Sequence, residues 1–164
     1  YISLPKKDNM KKINYWLVKS EPSDYSFSDL LSETNQTAEW DGVRNYQARN
    51  ILRNDMKIGD KILYYHSNSN PSQIVGTAVI VKEGYPDFTA WDPKSKHYDP
   101  KSTPENPKWF MVDLKAEKLF KKSITLQEIK NNRYLAEMIL VKNSRLSVQP
   151  VTKKEWEIIV SMSE

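Results

Sequence analysis

The chain has no cysteine, four glycines, two histidines and no long uninterrupted apolar run in its 164 residues. Each shortage removes a class of function. Without cysteine there is no disulfide framework, no thiolate metal centre and no cysteine nucleophile. Glycines this sparse form no phosphate-cradling loop, so a nucleotide-cofactor fold is not expected, and no cofactor is assigned. No segment approaches the length of a membrane span, and the lysine-bearing N-terminus lacks the apolar core of a signal peptide. The expectation is a cytoplasmic protein with no membrane partner.

Charge says less than its total suggests. The net charge is +4, but Lys6, Lys7, Lys11 and Lys12 against Asp8 carry +3 of it. The remaining body is nearly neutral. Counterion release would therefore drive nucleic-acid binding only through a local patch, and sequence does not say whether Lys94, Lys96, Lys101, Arg133, Arg145 and Lys153 converge. Residues 1–12 read as a flexible leader with Met10 as a plausible natural start, and residues 13–164 as a single domain with 38% apolar content across the chain and no internal repeat.

Three helix starts share one signature. Ser26 with Asp29, Thr125 with Glu128 and Thr152 with Glu155 place a hydroxyl three residues before a carboxylate, the spacing of a capping box. Tyr25 with Leu30, Ile124 with Ile129 and Val151 with Trp156 add the apolar staple. Helices are predicted over 26–32, 125–131 and 152–161, with a fourth from Tyr46 to about Arg53 and a further turn or two over 134–141. Strands are predicted over 14–19, 60–66, 73–83 and 108–120. In the last, Phe110, Val112, Leu114 and Ala116 alternate with charged residues, and Gly76 fits a bend or bulge in the third. Long strands with short helices between them imply an α+β class built on a curved antiparallel or mixed sheet, or a small barrel. Residues 85–107, which hold five of the nine prolines with Trp91 and Tyr98, fit no regular element. They are expected to be functional or packed down by their own aromatics.

Catalytic signals are thin. His66 precedes Ser67 at a strand end, but neighbours on a strand face opposite ways and no G-x-S-x-G turn is present. His97 with Asp92 and Asp99 reads either as a metal site for a nuclease or as Asx-turns at Asp-Pro pairs, and no second histidine lies at ligand spacing. A third reading makes the proline-rich loop a protein-interaction surface. The stretch Trp40-Asp41-Gly42-Val43-Arg44-Asn45 sets an aromatic and a dense polar run on a turn ahead of a helix. That is what a planar polar ligand such as a nucleobase needs, although Trp40 in the core, a tight turn and Asn45 as a helix cap explain the same residues. Lys19-Ser20-Glu21-Pro22, Tyr65-His66-Ser67 and Ser147-Val148-Gln149-Pro150 likewise sit at element ends. Their convergence would make an aromatic-walled pocket able to read a base edge.

Tyr15–Pro22, Trp40–Asn50, Tyr65-His66-Ser67, Ile74-Val75-Gly76, Tyr98–Ser102 and Arg145–Val151, taken in order, closely resemble the EVE domain family. The resemblance covers residues 14 to 161. It implies a PUA-like fold, a mixed β-barrel with peripheral short helices related to YTH and ASCH domains, and non-catalytic binding of a modified base, of the 5-methylcytosine type or related, in DNA or RNA. By position it puts Trp40 against a flipped base, with Lys19, Ser20, Asn45, Tyr65, His66, Ser67, Ser147 and Gln149 around it. No metal is implied, and any downstream effect would come from a separate effector protein. The polar spacer Thr34 to Thr37 carries no motif.

Overall fold

The computed structural model describes residues 12–143 and 145–164; the leader expected over 1–12 lies, but for Lys12, outside the described residues. The chain runs β1 (Tyr15–Ser20), α1 (Phe27–Ser32), β2 (Thr37–Glu39), α2 (Tyr46–Asn50), β3 (Lys61–His66), β4 (Gln73–Pro86), β5 (Phe110–Thr125), α3 (Leu126–Asn131), α4 (Ile139–Lys142), β6 (Val148–Val151) and α5 (Lys153–Met162). Ser26, Thr125 and Thr152 each accept from the N3 backbone while the N3 carboxylate reaches back, so all three capping boxes close. The fourth predicted helix is α2, which continues as a π-helical turn over Ile51–Asp55.

The strands form one six-stranded mixed sheet in the order β2-β5-β4-β3-β1-β6. The β1–β3 pair is parallel and the others are antiparallel. The mixed α+β class is therefore the observed one. A closed barrel is not: β2 and β6, three and four residues long, end the ladder on opposite sides and do not pair with each other. Both edge strands lie outside the predicted ones. β2 is too short to show alternation, and Pro150 interrupts β6, a position tolerated at an edge because no ladder donor is lost there.

Each sheet face covers its own core. Trp16, Val18, Ile62, Tyr64, Ile80, Val112 and Leu114 pack with Phe27, Leu30, Leu52 and Met56 on one side. Leu17, Leu63, Tyr65, Phe120 and Ile124 pack with Ile129, Leu135, Leu140 and Ile159 on the other. β5 serves both because its register slips: Thr77 pairs with Lys118 but Ala78 with Ala116, one extra residue that turns the alternation over. Gly76 sits at this irregularity. A Cβ there would lie 2.5 Å from the Lys118 carbonyl and 2.8 Å from the Phe27 ring, so close approach requires glycine.

Candidate functional site

The C-terminal ends of β1 and β3 and the segment entering β6 meet at one edge of the sheet. The Lys19 N–H donates to the Ser147 carbonyl at 3.0 Å and the Ser67 N–H to the Ser20 carbonyl at 3.0 Å. The Ser20 hydroxyl donates to the Tyr25 carbonyl at 2.7 Å, and the Tyr64 hydroxyl donates to the same oxygen at 3.0 Å. These bonds fix one wall of a cleft of about 820 Å³. The turn 40–44 forms its floor, and Ser95, Lys96 and His97 of the proline-rich loop form the facing wall.

Asp87 holds the turn in place. Fully buried, it accepts from the Gly42 N–H at 2.8 Å, the Thr89 N–H at 2.9 Å and the Arg44 guanidinium at 2.9 Å. Burial pushes its carboxyl up, but the bonds from Thr89, Gly42 and Arg44 outweigh this and leave it below the usual carboxylate value. Arg44 also donates to the His97 carbonyl at 2.7 and 3.2 Å, which ties the loop to the turn. Gly42, at φ +80°, lets the His97 ring pack against it; a Cβ would come within 2.5 Å of that ring. The loop is thus packed down, and Lys96 pairs with Asp24 across the cleft.

Trp40 is 8% exposed, standing edge-on to Tyr64 at 5.4 Å and Tyr25 at 6.4 Å. It is core on most of its surface and offers the cleft part of its ring. The Tyr25 hydroxyl is buried with no hydrogen-bond partner among the described residues, and burial pushes its pKa up to about 12. Glu21, Asp24, Glu33, Glu39 and Asp41 outnumber Lys19, Arg44 and Lys96 around the cleft. Burial raises the Asp41 and Glu39 carboxyls, more than the nearby basic groups lower them, and lowers the Lys19 ammonium. A cleft so charged suits hydrogen-bond donors of a neutral ligand and repels phosphate.

Of the residues singled out from sequence, Lys19, Ser20, Trp40, Ser67 and Ser147 line the cleft. Asn45, Tyr65, His66 and Gln149 do not line it. Asn45 Oδ1 accepts from the Ala48 N–H at 2.9 Å as the cap of α2. Tyr65 is buried in the second core, with the Lys19 ammonium 5.7 Å from its ring. His66 Nε2 accepts from the Phe27 N–H at 3.1 Å, joining β3 to the start of α1. Gln149 Nε2 donates to the Leu146 carbonyl at 2.8 Å and the Asn143 carbonyl at 3.2 Å, shaping the turn before β6. Sequence reasoning missed Tyr25, whose staple position gave it a structural role, and Asp41, which lay inside the motif but read as a turn residue. In the loop, Asp92 accepts from the Lys94 N–H and Asp99 from the Lys101 N–H and the Trp109 indole, so both make Asx-type contacts. Among the described residues, no group of three or more acidic and histidine side chains is placed to hold a metal, and no helix is long and apolar enough to cross a membrane.

An α+β domain with strand ends, an aromatic floor and an acidic rim gathered at one cleft is a small-ligand binding architecture. The chain belongs to the EVE domain family, whose model matches residues 14–162. It is 45% identical over 172 residues to thymocyte nuclear protein 1 of Gallus gallus, covering 93% of this chain and 71% of that protein. A Leishmania major protein of known structure superposes with a TM-score of 0.88 at 46% identity, covering 93% of this chain and 95% of the other. Human THYN1, crystallised in complex with DNA containing 5-methylcytosine, also superposes with a TM-score of 0.88, at 42% identity over 92% of this chain and 98% of that one.

Proposed function

We propose that this protein is a non-catalytic reader of a modified base in nucleic acid, taking the base into the cleft floored by Trp40. The observation that carries the reading is the likeness, over nearly the whole chain, to a protein crystallised on DNA containing 5-methylcytosine. The cleft supports it. Trp40 would meet the base, Tyr25 would close the edge beside it, and Lys19, Ser20, Ser67 and Ser147 would supply polar contacts. Asp41 is an acceptor suited to the exocyclic amino group of a cytosine. Asn45, His66 and Gln149 would act through the elements that their hydrogen bonds fix, and Tyr65 through the core beneath β3. The fold assigned is PUA-like, with the bulges of β4 and β5 curving the open sheet.

Extruding a base from a duplex costs a few kcal/mol, and stacking on one aromatic returns roughly 1–3 kcal/mol. Trp40, mostly covered, belongs at the low end. One methyl adds only about 0.8 kcal/mol, or roughly fourfold, so discrimination rests on fit and on polar groups that a wrong base leaves unpaired. A single strand avoids the extrusion cost. Titration of matched single-stranded and duplex oligonucleotides, each with one modified cytosine or adenine, tests the proposal. Preference for one modified base, lost in Trp40→Ala, supports a reader. Binding indifferent to modification and to Trp40 overturns it.

A further inference from the structure

An acidic cleft leaves the polyanion to be held elsewhere, and one surface beside it is built for that. Arg44, which lines the cleft, lies 5.4 Å from the Trp109 ring centroid. Tyr46, 55% exposed, stacks on the same Trp109 ring at 4.8 Å with planes 23° apart. Arg49 then stacks on Tyr46 at 4.8 Å, and Arg53, one turn further along, on Phe110 at 5.5 Å. Phe110 follows Trp109 in the chain, so the two arginine–aromatic pairs are neighbours.

Arg44 is neutralised by Asp87, but Arg49 and Arg53 differ from it. Neither forms an ion pair with a carboxylate among the described residues. They are held instead by neutral oxygens. Asn50 Oδ1 accepts from Arg49 Nε at 3.0 Å and from Arg53 Nη2 at 3.3 Å, the Lys108 carbonyl accepts from Arg49 Nη1 at 2.8 Å, and Asn54 accepts from Arg53 Nε at 3.1 Å. Burial and then the neighbouring Arg53 charge weaken the hold of Arg49 on its proton, as expected for like charges kept together without an acid. Guanidiniums flattened on aromatic rings lose little further freedom on binding, and their planar edges fit phosphate oxygens two at a time.

We infer that Arg49 and Arg53, presented on Tyr46 and Phe110, bind the phosphodiester backbone of the strand whose base enters the cleft. This rests on the reader proposed above. Arg49 and Arg53 supply affinity without base preference, Tyr46 packs against the flanking nucleotide, and the cleft supplies preference with little phosphate attraction.

The test is fluorescence anisotropy of the full chain with one labelled oligonucleotide in 5-methylcytosine and cytosine forms, across a series of salt concentrations. The double substitution Arg49→Gln, Arg53→Gln should weaken both forms by a common factor on the order of tenfold and lower the slope of log affinity against log salt by roughly 1.4 to 1.8. Arg49→Lys, Arg53→Lys should retain most of the slope. Equal slopes for the double glutamine variant and the parent, with its fold intact by circular dichroism, overturn the inference. So does a change in the ratio between the two forms. Trp40→Ala should do the reverse, losing the ratio and keeping the slope. A parent protein with no ratio but an arginine-dependent slope would refute the base reader alone, and one that binds no nucleic acid would refute both.

Discussion

Asp87 and Asp41 stand within one turn's reach of each other and titrate in opposite senses. Asp87 is held ionised by the turn it braces, and removing it leaves the Gly42 and Thr89 N–H groups and the Arg44 guanidinium unmatched. Because Arg44 retains some contact with water, Asp87→Ala should cost about 3 kcal/mol, the low end for a broken buried pair, read as a lower midpoint in urea unfolding. Its lowered value makes its contribution complete above the ordinary 3.8 and lost as pH falls through the depressed one. Asp41 behaves inversely. A carboxyl raised on folding holds more protons folded than unfolded, so stability falls as pH rises from 3.8 through its elevated value. Asp41→Asn should therefore be more stable than the parent at neutral pH, with the difference vanishing below pH 3.8; denaturant titrations at several pH values read it directly. Tyr25→Phe belongs with these. It removes a buried hydroxyl that has no hydrogen-bond partner among the described residues, so stability should hold or rise slightly while base binding weakens, a split that a purely structural tyrosine would not give.

At the scale of elements, the capped helices and long strands were legible and the rest was not, for identifiable reasons. A hydroxyl three residues before a carboxylate, flanked by an apolar pair, is a local signal with one outcome, and Ser26, Thr125 and Thr152 each gave it. β2 and β6 exist through their partners: Thr37–Glu39 pairs with β5, and Val148–Val151 with β1, neither having a pattern of its own. The cleft follows the same rule. Lys19, Ser20, Ser67 and Ser147 were found because they end strands, while Tyr25 and the loop residues Ser95 to His97 reach the cleft only through tertiary folding. His66 and Asn45 show the converse, polar residues in suggestive motifs whose bonds fasten one element to the next. Gly76 allows a sharper test. Gly76→Ala places a methyl against the Lys118 carbonyl and Phe27 at the bulge where β5 changes faces. It should cost on the order of 1–3 kcal/mol in unfolding free energy, more than the same change at the open Gly59 after its positive φ is allowed for.

For the molecule as a whole, two cores on opposite sheet faces make the frame, and the cleft lies where the strand ends of β1 and β3 meet the start of β6. Fold and family were legible because several long motifs stand in order along the chain, not because of its composition; net charge alone pointed weakly. The structure separates what that charge had blurred. The cleft is rimmed by carboxylates, and Arg49 and Arg53, which form no ion pair with a carboxylate among the described residues, lie outside its lining, over Tyr46 and Phe110. A nucleic-acid ligand would be recognised by its base in one place and held by its backbone in another. The most direct measurement is the structure of this protein with a single-stranded oligonucleotide containing 5-methylcytosine. The modified base is expected in the cleft, in contact with the Trp40 ring and with its amino group facing Asp41. A base left outside, with Trp40 and Tyr25 uncovered and the strand bound elsewhere, would contradict it.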